Sequence, residues 1–474
     1  MPRALARVVV VLALIGSACD DGTAPEQRSI RRPASAPKSS DTTIVGLVGT
    51  MTGEDSWRGE DAFEGADLAV HELNRTLGED ERPFELVTLD DEGDPEAAAD
   101  LVARLAASPR VAGIVYAGPP EGLPSAEPAL EEAGIPAVLC YGDLYSAHLL
   151  RQNLFQTSPS YLWQARRLAS YLYRDRKYAR VGLLVPSSLS GRTARQAFAS
   201  AATVYGRRAT ATETYAPGAD DLGTEIERLR AARVQAVVVD GSQDLFARAL
   251  RELREGGARY TTTAEAKRGG TKGPGRRPWR PQVAGFDLTM GPAIPPGFAP
   301  PGTIASDDYA RGAHYLPVPS FEAFREAFSN WWGEAPLGWE LRAYEAGRII
   351  GWAARVALDR DESVVQALTR LKGRRFGRLD VVLGPDDHTT VNQPHVGLWV
   401  VPRPAAGVPE VERLPGRLRW VPLARGFSID GDNTDLAARD WRYLFRSTPS
   451  PKGPAPRNSR WRFGVSTPRS DPVH

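Results

Sequence analysis

The chain has little cysteine and almost no net charge, and each shortage excludes a class of protein. Two cysteines among 474 residues cannot form a disulfide scaffold or a zinc site of four thiolates. The 59 basic residues are balanced by 58 acidic ones, whereas a general nucleic-acid binder needs a basic excess to release counterions from phosphate. We therefore expect no nucleic-acid partner. With 42% hydrophobic and 25% charged residues, the composition is globular, and the length predicts two or three domains.

The sequence also lacks the motifs of common catalytic and metal sites. It contains no nucleophile elbow and no phosphate-binding loop. His71-Glu72 lacks the second histidine of a zinc-binding helix, and the acidic group at 430–435 lacks the glycine and glutamate of a calcium loop. These absences predict a protein that is not an enzyme and that uses no metal or other cofactor.

The first residues predict export. Two arginines within Met1–Arg7 precede an apolar run, Val8–Ile15, which small residues connect to Cys19. This order is typical of a secretory signal peptide, here residues 1–18, and the apolar run is too short to span a bilayer. Residues 19–41 are rich in Ala, Pro, Ser and Arg without periodicity, which predicts a flexible tether.

A cysteine directly after a signal peptide resembles the lipobox of bacterial lipoproteins. The resemblance implies that the Cys19 thiol receives diacylglycerol, so that the protein is extracytoplasmic and anchored to the cell membrane. Gly16 stands where that motif usually has leucine. A plain signal peptide with cleavage nearby therefore remains the alternative.

Apolar strands and amphipathic helices alternate through the region that follows. Strands are predicted at 44–48, 84–89, 111–116 and 136–140, with helices between them, and Asp94 with Pro95 predicts a capped helix start. The pattern restarts at Tyr161 with helices at 161–173, 193–205, 222–232 and 245–255 and strands at 180–185, 236–240 and 282–286. Further helices are predicted at 321–332 and 341–358, and strands at 379–383 and 396–401. Such alternation predicts parallel sheets covered by helices on both faces.

Four segments resemble the type I periplasmic solute-binding proteins of the branched-chain amino-acid and amide group. Ile44–Asn74 contains the family's first strand, a Thr-Gly turn and the helix pattern GAxLAVxELN, and Leu89–Leu105 resembles its DD…DP…A…A…L stretch. Leu341–Leu358 and Asp386–Val401 resemble its late helix and final strand pair. The resemblance covers about residues 42–401.

The resemblance implies an α/β fold of two Rossmann-like lobes with parallel sheets, joined by three crossovers around a ligand cleft. We expect the first lobe to comprise 42–157 and 291–380. The second is expected to comprise 158–290, with a basic Gly/Pro-rich insertion at 261–281, and to be completed by a return at 381–445 that includes a C-terminal extension. Residues 446–474 are predicted to be a disordered tail.

The family's ligand contacts lie in loops that follow the strands. Transferred position by position, they fall on Trp57, Arg58, Pro120, Glu121, Tyr141, Asp143, Ser242, Gln243 and Asp287.

Three of these positions depart from the pattern of amino-acid binders. Pro120, Glu121 and Asp143 stand where such proteins usually offer hydroxyls and free amides to a ligand carboxylate, and Asp287 falls where the family often has an acid for the ligand ammonium. Proline has no N–H to donate, and added carboxylates repel a carboxylate ligand. This set favours a cationic or neutral, amide-like ligand over a simple zwitterion. The alternative for each acid is an exposed loop carboxylate or a helix cap.

Two functions follow from the resemblance. The first is a lipid-anchored protein that captures a small polar ligand, such as an amino acid or amide, and delivers it to an ABC permease. The second is a lipoprotein with the same fold that acts without a ligand or as a sensor and regulates envelope enzymes or a receptor kinase. The second function is motivated by the loop positions that depart from the pattern of amino-acid binders and by the segment after 402, which the resemblance does not cover.

Overall fold

The computed structural model describes residues 42–53, 55–79, 81–143, 152–242, 245–246, 248–253, 279–287, 304–307, 319–336, 338–376, 380–385, 387–391, 396–400 and 419–420. The predicted signal peptide, Cys19, the tether, most of the basic insertion and the predicted C-terminal tail lie outside these residues.

The first lobe is built on a five-stranded parallel sheet with the order β2-β1-β3-β4-β5. Its strands are β1 (Thr43–Gly49), β2 (Phe84–Asp90), β3 (Val111–Ala117), β4 (Ala137–Leu139) and β5 (Leu154–Gln156). Its first helices are α1 (Ser56–Arg75), α2 (Pro95–Ala106) and α3 (Leu123–Ala133). β1 and β3 are buried along almost their whole length, as the apolar runs predict for central parallel strands.

The start of α2 confirms the predicted cap. Asp94 is the N-cap, its carboxylate accepts a hydrogen bond from the Glu96 amide at 2.8 Å, and Pro95 occupies the first turn. The cap satisfies one of the amides that a helix start leaves without a partner, and proline there has no amide to satisfy.

The second lobe is built on a seven-stranded sheet with the order β14-β13-β10-β9-β8-β6-β7. The strands from β7 to β10 are parallel, whereas β13 and β14 run antiparallel at one edge. The strands are β6 (Val181–Pro186), β7 (Ala211–Tyr215), β8 (Ala236–Val239), β9 (Gln282–Gly285), β10 (Ile304–Asp307), β13 (Gly397–Val400) and β14 (Arg419–Trp420). The helices are α4 (Tyr161–Ala169), which continues as a π-helical stretch over Ser170–Asp175, α5 (Leu189–Thr203) and α6 (Gly223–Ala231). This architecture confirms the predicted α/β fold with two sheets.

The last helices return the chain to the first lobe. They are α7 (Pro319–Trp332), α8 (Glu340–Arg360) and α9 (Val364–Leu368), followed by the short pair β11 (Arg374–Arg375) and β12 (Asp380–Val381). α8 packs along α1, and a side chain on Gly65 would overlap the Glu340 carbonyl, so this glycine lets the two helices approach closely.

The chain passes between the lobes three times. The first passage follows β5, the second leads from β10 to α7 and α8, and the third connects β12 to β13. The first and third passages run side by side, because Gln156 exchanges backbone hydrogen bonds with His388 and Thr390 at 3.0 Å each.

Several elements differ from the sequence-based division. The strands β5 and β7 were not predicted. Val381 and Leu383 pack in the first lobe's core, although the return at 381–445 was expected in the second. β10 lies in the sheet of the second lobe, although residues 291–380 were expected in the first. Four residues carry too weak a periodicity to reveal which sheet a strand joins. At the end of the basic insertion, Trp279 packs on the second lobe's core and its indole N–H donates to the Val234 carbonyl at 2.8 Å.

Within the described residues, no helix combines the length and apolar character needed to span a bilayer.

Candidate functional site

A cavity of about 440 Å³ lies between the two lobes at the carboxyl ends of their strands. Open parallel sheets place their ligand sites at this edge, because the loops that follow the strands converge there. The first lobe contributes Thr50, Asp55, Arg58, Gly93, Pro119, Pro120, Glu121 and Gly142. The second contributes Tyr161, Pro186, Ser188, Ser190, Tyr215, Pro217, Gly218, Asp220, Asp240, Gly241, Ser242, Leu245 and Arg248.

Asp240 is the most buried charged residue of this lining, with 2% of its surface exposed. It directly follows β8, so the strand end fixes its backbone. The Tyr161 hydroxyl donates to Oδ1 of Asp240 at 2.8 Å, and the Tyr215 hydroxyl donates to its backbone carbonyl at 2.5 Å. Oδ2 of Asp240 has no hydrogen-bond partner among the described residues.

Burial raises the pKa of Asp240 from 3.8 to about 7. Desolvation disfavours the charged carboxylate and is the main cause, while the hydrogen bond from Tyr161 partly opposes it. The Asp287 carboxylate raises the pKa further, whereas a hydrogen bond from the Gly241 amide and, as the smallest cause, the Arg58 guanidinium lower it. Asp240 therefore changes its charge near neutral pH, which is a common property of groups at functional sites.

Both arginines of the cavity wall are paired with acids on their own lobe. Arg58 lies 3.3 Å from Asp55, and Arg248 lies 3.8 Å from Asp220 and also donates to the Ala219 carbonyl. These pairs leave Glu121 and Asp240 as the lining acids that form no ion pair within the described residues.

Four of the predicted ligand residues border the cavity: Arg58, Pro120, Glu121 and Ser242. Pro120 and Glu121 open a short 3₁₀ turn, Pro120–Gly122, two residues after the end of β3. Gln243 lies outside the described residues. We retain the role of these residues as a proposal.

Trp57 and Tyr141 pack beside the cavity instead of lining it. Their rings meet at a centroid distance of 5.7 Å, and Trp339, which precedes α8, contacts both at 5.0 and 6.1 Å. Tyr141 and Trp339 are almost fully buried. The three rings form an aromatic cluster in the first lobe's core, so the structure gives Trp57 and Tyr141 a packing role.

Asp143 and Asp287 also lie outside the lining, and both have partners within the protein. Oδ2 of Asp143 accepts a hydrogen bond from the Tyr161 amide at 2.6 Å, so this acid binds the first amide of α4, whose N-cap is Ser160. Asp287 accepts hydrogen bonds from Gln164 at 3.0 Å and from Arg342 at 3.1 Å. Asp287 is therefore not presented to a ligand in this structure.

Sequence reasoning missed the cavity residues Asp240, Tyr161 and Tyr215. A signal for Asp240 was present, since an acid that ends the apolar strand Ala236–Val239 of a parallel sheet faces the ligand edge. Tyr161 and Tyr215 gave no such signal, because their hydroxyls act through partners that are distant along the chain.

Comparison with known proteins agrees with this architecture. Residues 42–401 match the family model described as periplasmic binding protein. A type 1 periplasmic binding protein from Bordetella pertussis has 20% identity and a TM-score of 0.64, with 81% of this chain and 100% of that chain covered. No curated protein matches the chain.

Two further solved structures hold ligands. A branched-chain amino acid transporter substrate-binding protein from Streptococcus pneumoniae, in complex with isoleucine, has 17% identity and a TM-score of 0.60 and covers 76% of this chain and 96% of its own. An ABC transporter solute-binding protein from R. palustris, in complex with 4-hydroxybenzoate, has 17% identity and a TM-score of 0.62 and covers 77% and 94%. At these identities the likeness shows the fold alone.

The resemblance stated from sequence is thereby confirmed, since the family model spans most of the chain and the structure has the same two-lobed α/β architecture. The chain belongs to the periplasmic binding protein family, and its fold is that of the type I members.

Proposed function

We propose that this protein is an extracytoplasmic, lipid-anchored solute-binding protein that captures a small polar ligand, such as an amino acid, an amide or a related compound, for an ABC importer. The observation that carries the proposal is the cavity of about 440 Å³ lined from both lobes. A solute that touches both walls binds the closed arrangement more tightly than the open one, so it shifts the population toward closure.

The chemistry of the lining supports a polar ligand. Leu245 is the one branched aliphatic residue among the lining residues that the structure describes, and the remainder are charged, hydroxyl-bearing, proline or glycine residues. Polar groups placed in a cavity fix the orientation of a ligand through hydrogen bonds.

A thermal-shift screen of the full-length protein tests solute capture. The panel comprises amino acids, polyamines, amides and ureas. A solute that binds only the folded state raises the melting temperature by mass action. The control is Glu132→Gln, which changes an exposed acid near the end of α3 and leaves the cavity unaltered.

Membrane anchoring is tested separately with Cys19→Ser. Thioether lipidation requires the sulfur, and residues 20–40 have no apolar face that could replace a lipid. We expect the variant to move from the membrane to the soluble extracytoplasmic fraction, while its affinity for any solute found in the screen stays that of the wild type. A variant that remains in the membrane fraction in high salt would contradict the anchor.

A ligand-free or sensory role is the second candidate. Pro119 and Pro120 remove two backbone donors from the wall of the first lobe, and Trp57, Tyr141, Asp143 and Asp287 all have internal partners. The ligand-free form of this role requires that no solute in the screen changes the melting temperature.

A further inference from the structure

We propose that Asp240 anchors an organic cation, carried on an amine or guanidinium group, and that capture of this cation releases a proton from the protein. The inference rests on the proposed function of solute capture and specifies its substrate class.

The first argument is the missing donor at Asp240. Its Oδ1 is held by Tyr161, whereas its Oδ2 has no partner among the described residues although the side chain is almost completely buried beside the cavity. Buried polar atoms are normally satisfied, because leaving one without a hydrogen bond costs free energy. A solute that brings an N–H donor removes this cost.

The second argument is the charge of the cavity wall. Arg58 and Arg248 are paired with Asp55 and Asp220, whereas Glu121 on the first lobe and Asp240 on the second have no cationic partner within the described part of the chain. The first lobe's wall therefore carries an excess of negative charge, and the second lobe's wall does so when Asp240 is ionised. A cation is attracted by this field, and an anionic solute is repelled.

The third argument is the set of groups around Asp240, which together bring the pKa of its carboxyl close to neutral pH. The groups that face it are Tyr161 at the start of α4, Tyr215 at the end of β7, Asp287 after β9 and Arg58 on α1. The two tyrosine hydroxyls stay protonated because burial raises their pKa values. Burial and Asp287 raise the pKa of Asp240, while Tyr161, the Gly241 amide and Arg58 oppose the shift, with the result of about 7.

Proton release follows from this balance. Near neutral pH the free protein holds Asp240 partly protonated, and a bound cation favours the ionised carboxylate. The proton leaves for the solvent as the ion pair forms. Cation affinity should therefore fall about tenfold between pH values of about 8 and about 6, whereas a solute that does not contact Asp240 should show no such loss.

The experiment uses the full-length protein and four probes: agmatine and putrescine as cations, L-isoleucine as an aliphatic zwitterion and 4-hydroxybenzoate as an anion. Affinities are measured by titration calorimetry at both pH values, in two buffers with different ionisation enthalpies so that proton release is counted. Asp240→Asn keeps the side-chain shape and removes the charge. Glu132→Gln is the matched control outside the cavity.

We expect agmatine or putrescine to bind the wild type with proton release and with higher affinity at the higher pH. Asp240→Asn should weaken that cation about tenfold or more and abolish the pH dependence, while Glu132→Gln should behave as the wild type. As a second variant, Tyr161→Phe removes the donor to Oδ1, so it should move the midpoint of the pH dependence upward.

Three results would overturn the inference. A cation affinity that is equal at both pH values and unchanged in Asp240→Asn rejects Asp240 as the anchor but leaves solute capture intact. Binding of L-isoleucine or 4-hydroxybenzoate without either cation rejects the substrate class and again leaves the proposed function standing. If none of the four probes binds, the inference fails, and the wider thermal-shift screen decides the proposed function independently.

Discussion

Arg342 of α8 donates a hydrogen bond from Nη2 to Oδ2 of Asp287, at 3.1 Å, and both side chains are almost completely buried. Gln164 of α4 holds the other carboxylate oxygen at 3.0 Å and accepts a hydrogen bond from the Asp287 amide at 2.8 Å. The acid that sequence comparison assigned to the ligand thus connects the second lobe to the helix that returns the chain to the first.

This pair predicts a stability effect at Asp287. Asp287→Asn should lower the free energy of unfolding by about 3–5 kcal/mol, because it removes the negative charge that pairs with the buried Arg342 guanidinium. Urea denaturation monitored by circular dichroism measures the change. As a comparison, Asp287→Asn combined with Arg342→Met removes both charges and should recover part of the loss. If Asp287→Asn instead kept the wild-type stability and weakened solute binding, Asp287 would be a ligand contact.

Asp240 predicts a stability that decreases as the pH rises. Its folded-state pKa of about 7 exceeds the ordinary value of 3.8, so between these values the folded state holds a proton that the unfolded state has released. Stability therefore falls across this window, and the full penalty applies above about pH 7. Asp240→Asn removes the penalty and should be more stable than the wild type by roughly 2–4 kcal/mol at alkaline pH.

The measurement is the melting temperature from acid to alkaline pH for Asp240→Asn, the wild type and Glu132→Gln. The two curves for wild type and Asp240→Asn should converge near pH 4 and separate as the pH rises, and Glu132→Gln should follow the wild type. Parallel curves would show that Asp240 titrates at its ordinary pKa.

A side chain at Gly241, which follows Asp240 at the end of β8, should destabilise the fold locally. The φ of this glycine, 145°, is a conformation that side chains rarely adopt, and a Cβ there would overlap the Tyr215 hydroxyl. Gly241→Ala should therefore destabilise the fold by about 1–3 kcal/mol and disturb the hydrogen bond to the Asp240 carbonyl. Gly206→Ala is the control, since Gly206 has a φ of 60° with no atom near its missing Cβ. An equal loss in both variants would mean that backbone strain alone acts at Gly241.

Two deletions in the basic insertion should differ sharply in their effect on the melting temperature. Removing 264–278 should change the melting temperature little, because its Gly/Pro-rich composition offers nothing to bury. Extending the deletion to 281 also removes Trp279, which packs on the second lobe's core and bonds the Val234 carbonyl. Because Trp279 is partly buried, its loss should cost less than the roughly 3–5 kcal/mol of a fully buried aromatic. Equal melting temperatures for the two deletions would contradict the packing role of Trp279.

Local sequence determined most of the regular structure. The Asp94-Pro95 pair defines the start of α2, and the apolar runs correspond to β1, β3, β6 and β8. Caps and strand burial depend on residues within a few positions of each other, so the pattern alone reveals them. The family was also readable from sequence, because its motifs are contiguous.

Only the tertiary structure decided which acids reach the ligand cavity. Asp287 and Asp240 both follow strands of the second lobe, and sequence gives no reason to treat them differently. Asp287 is occupied by Arg342, 55 positions away, and by Gln164, 123 positions away. One carboxylate oxygen of Asp240 has no hydrogen-bond partner among the residues that the structure describes, although Tyr161 holds the other from 79 positions away. Burial and hydrogen bonding at these positions depend on contacts between distant segments, and those contacts form only when the two lobes and their crossovers assemble.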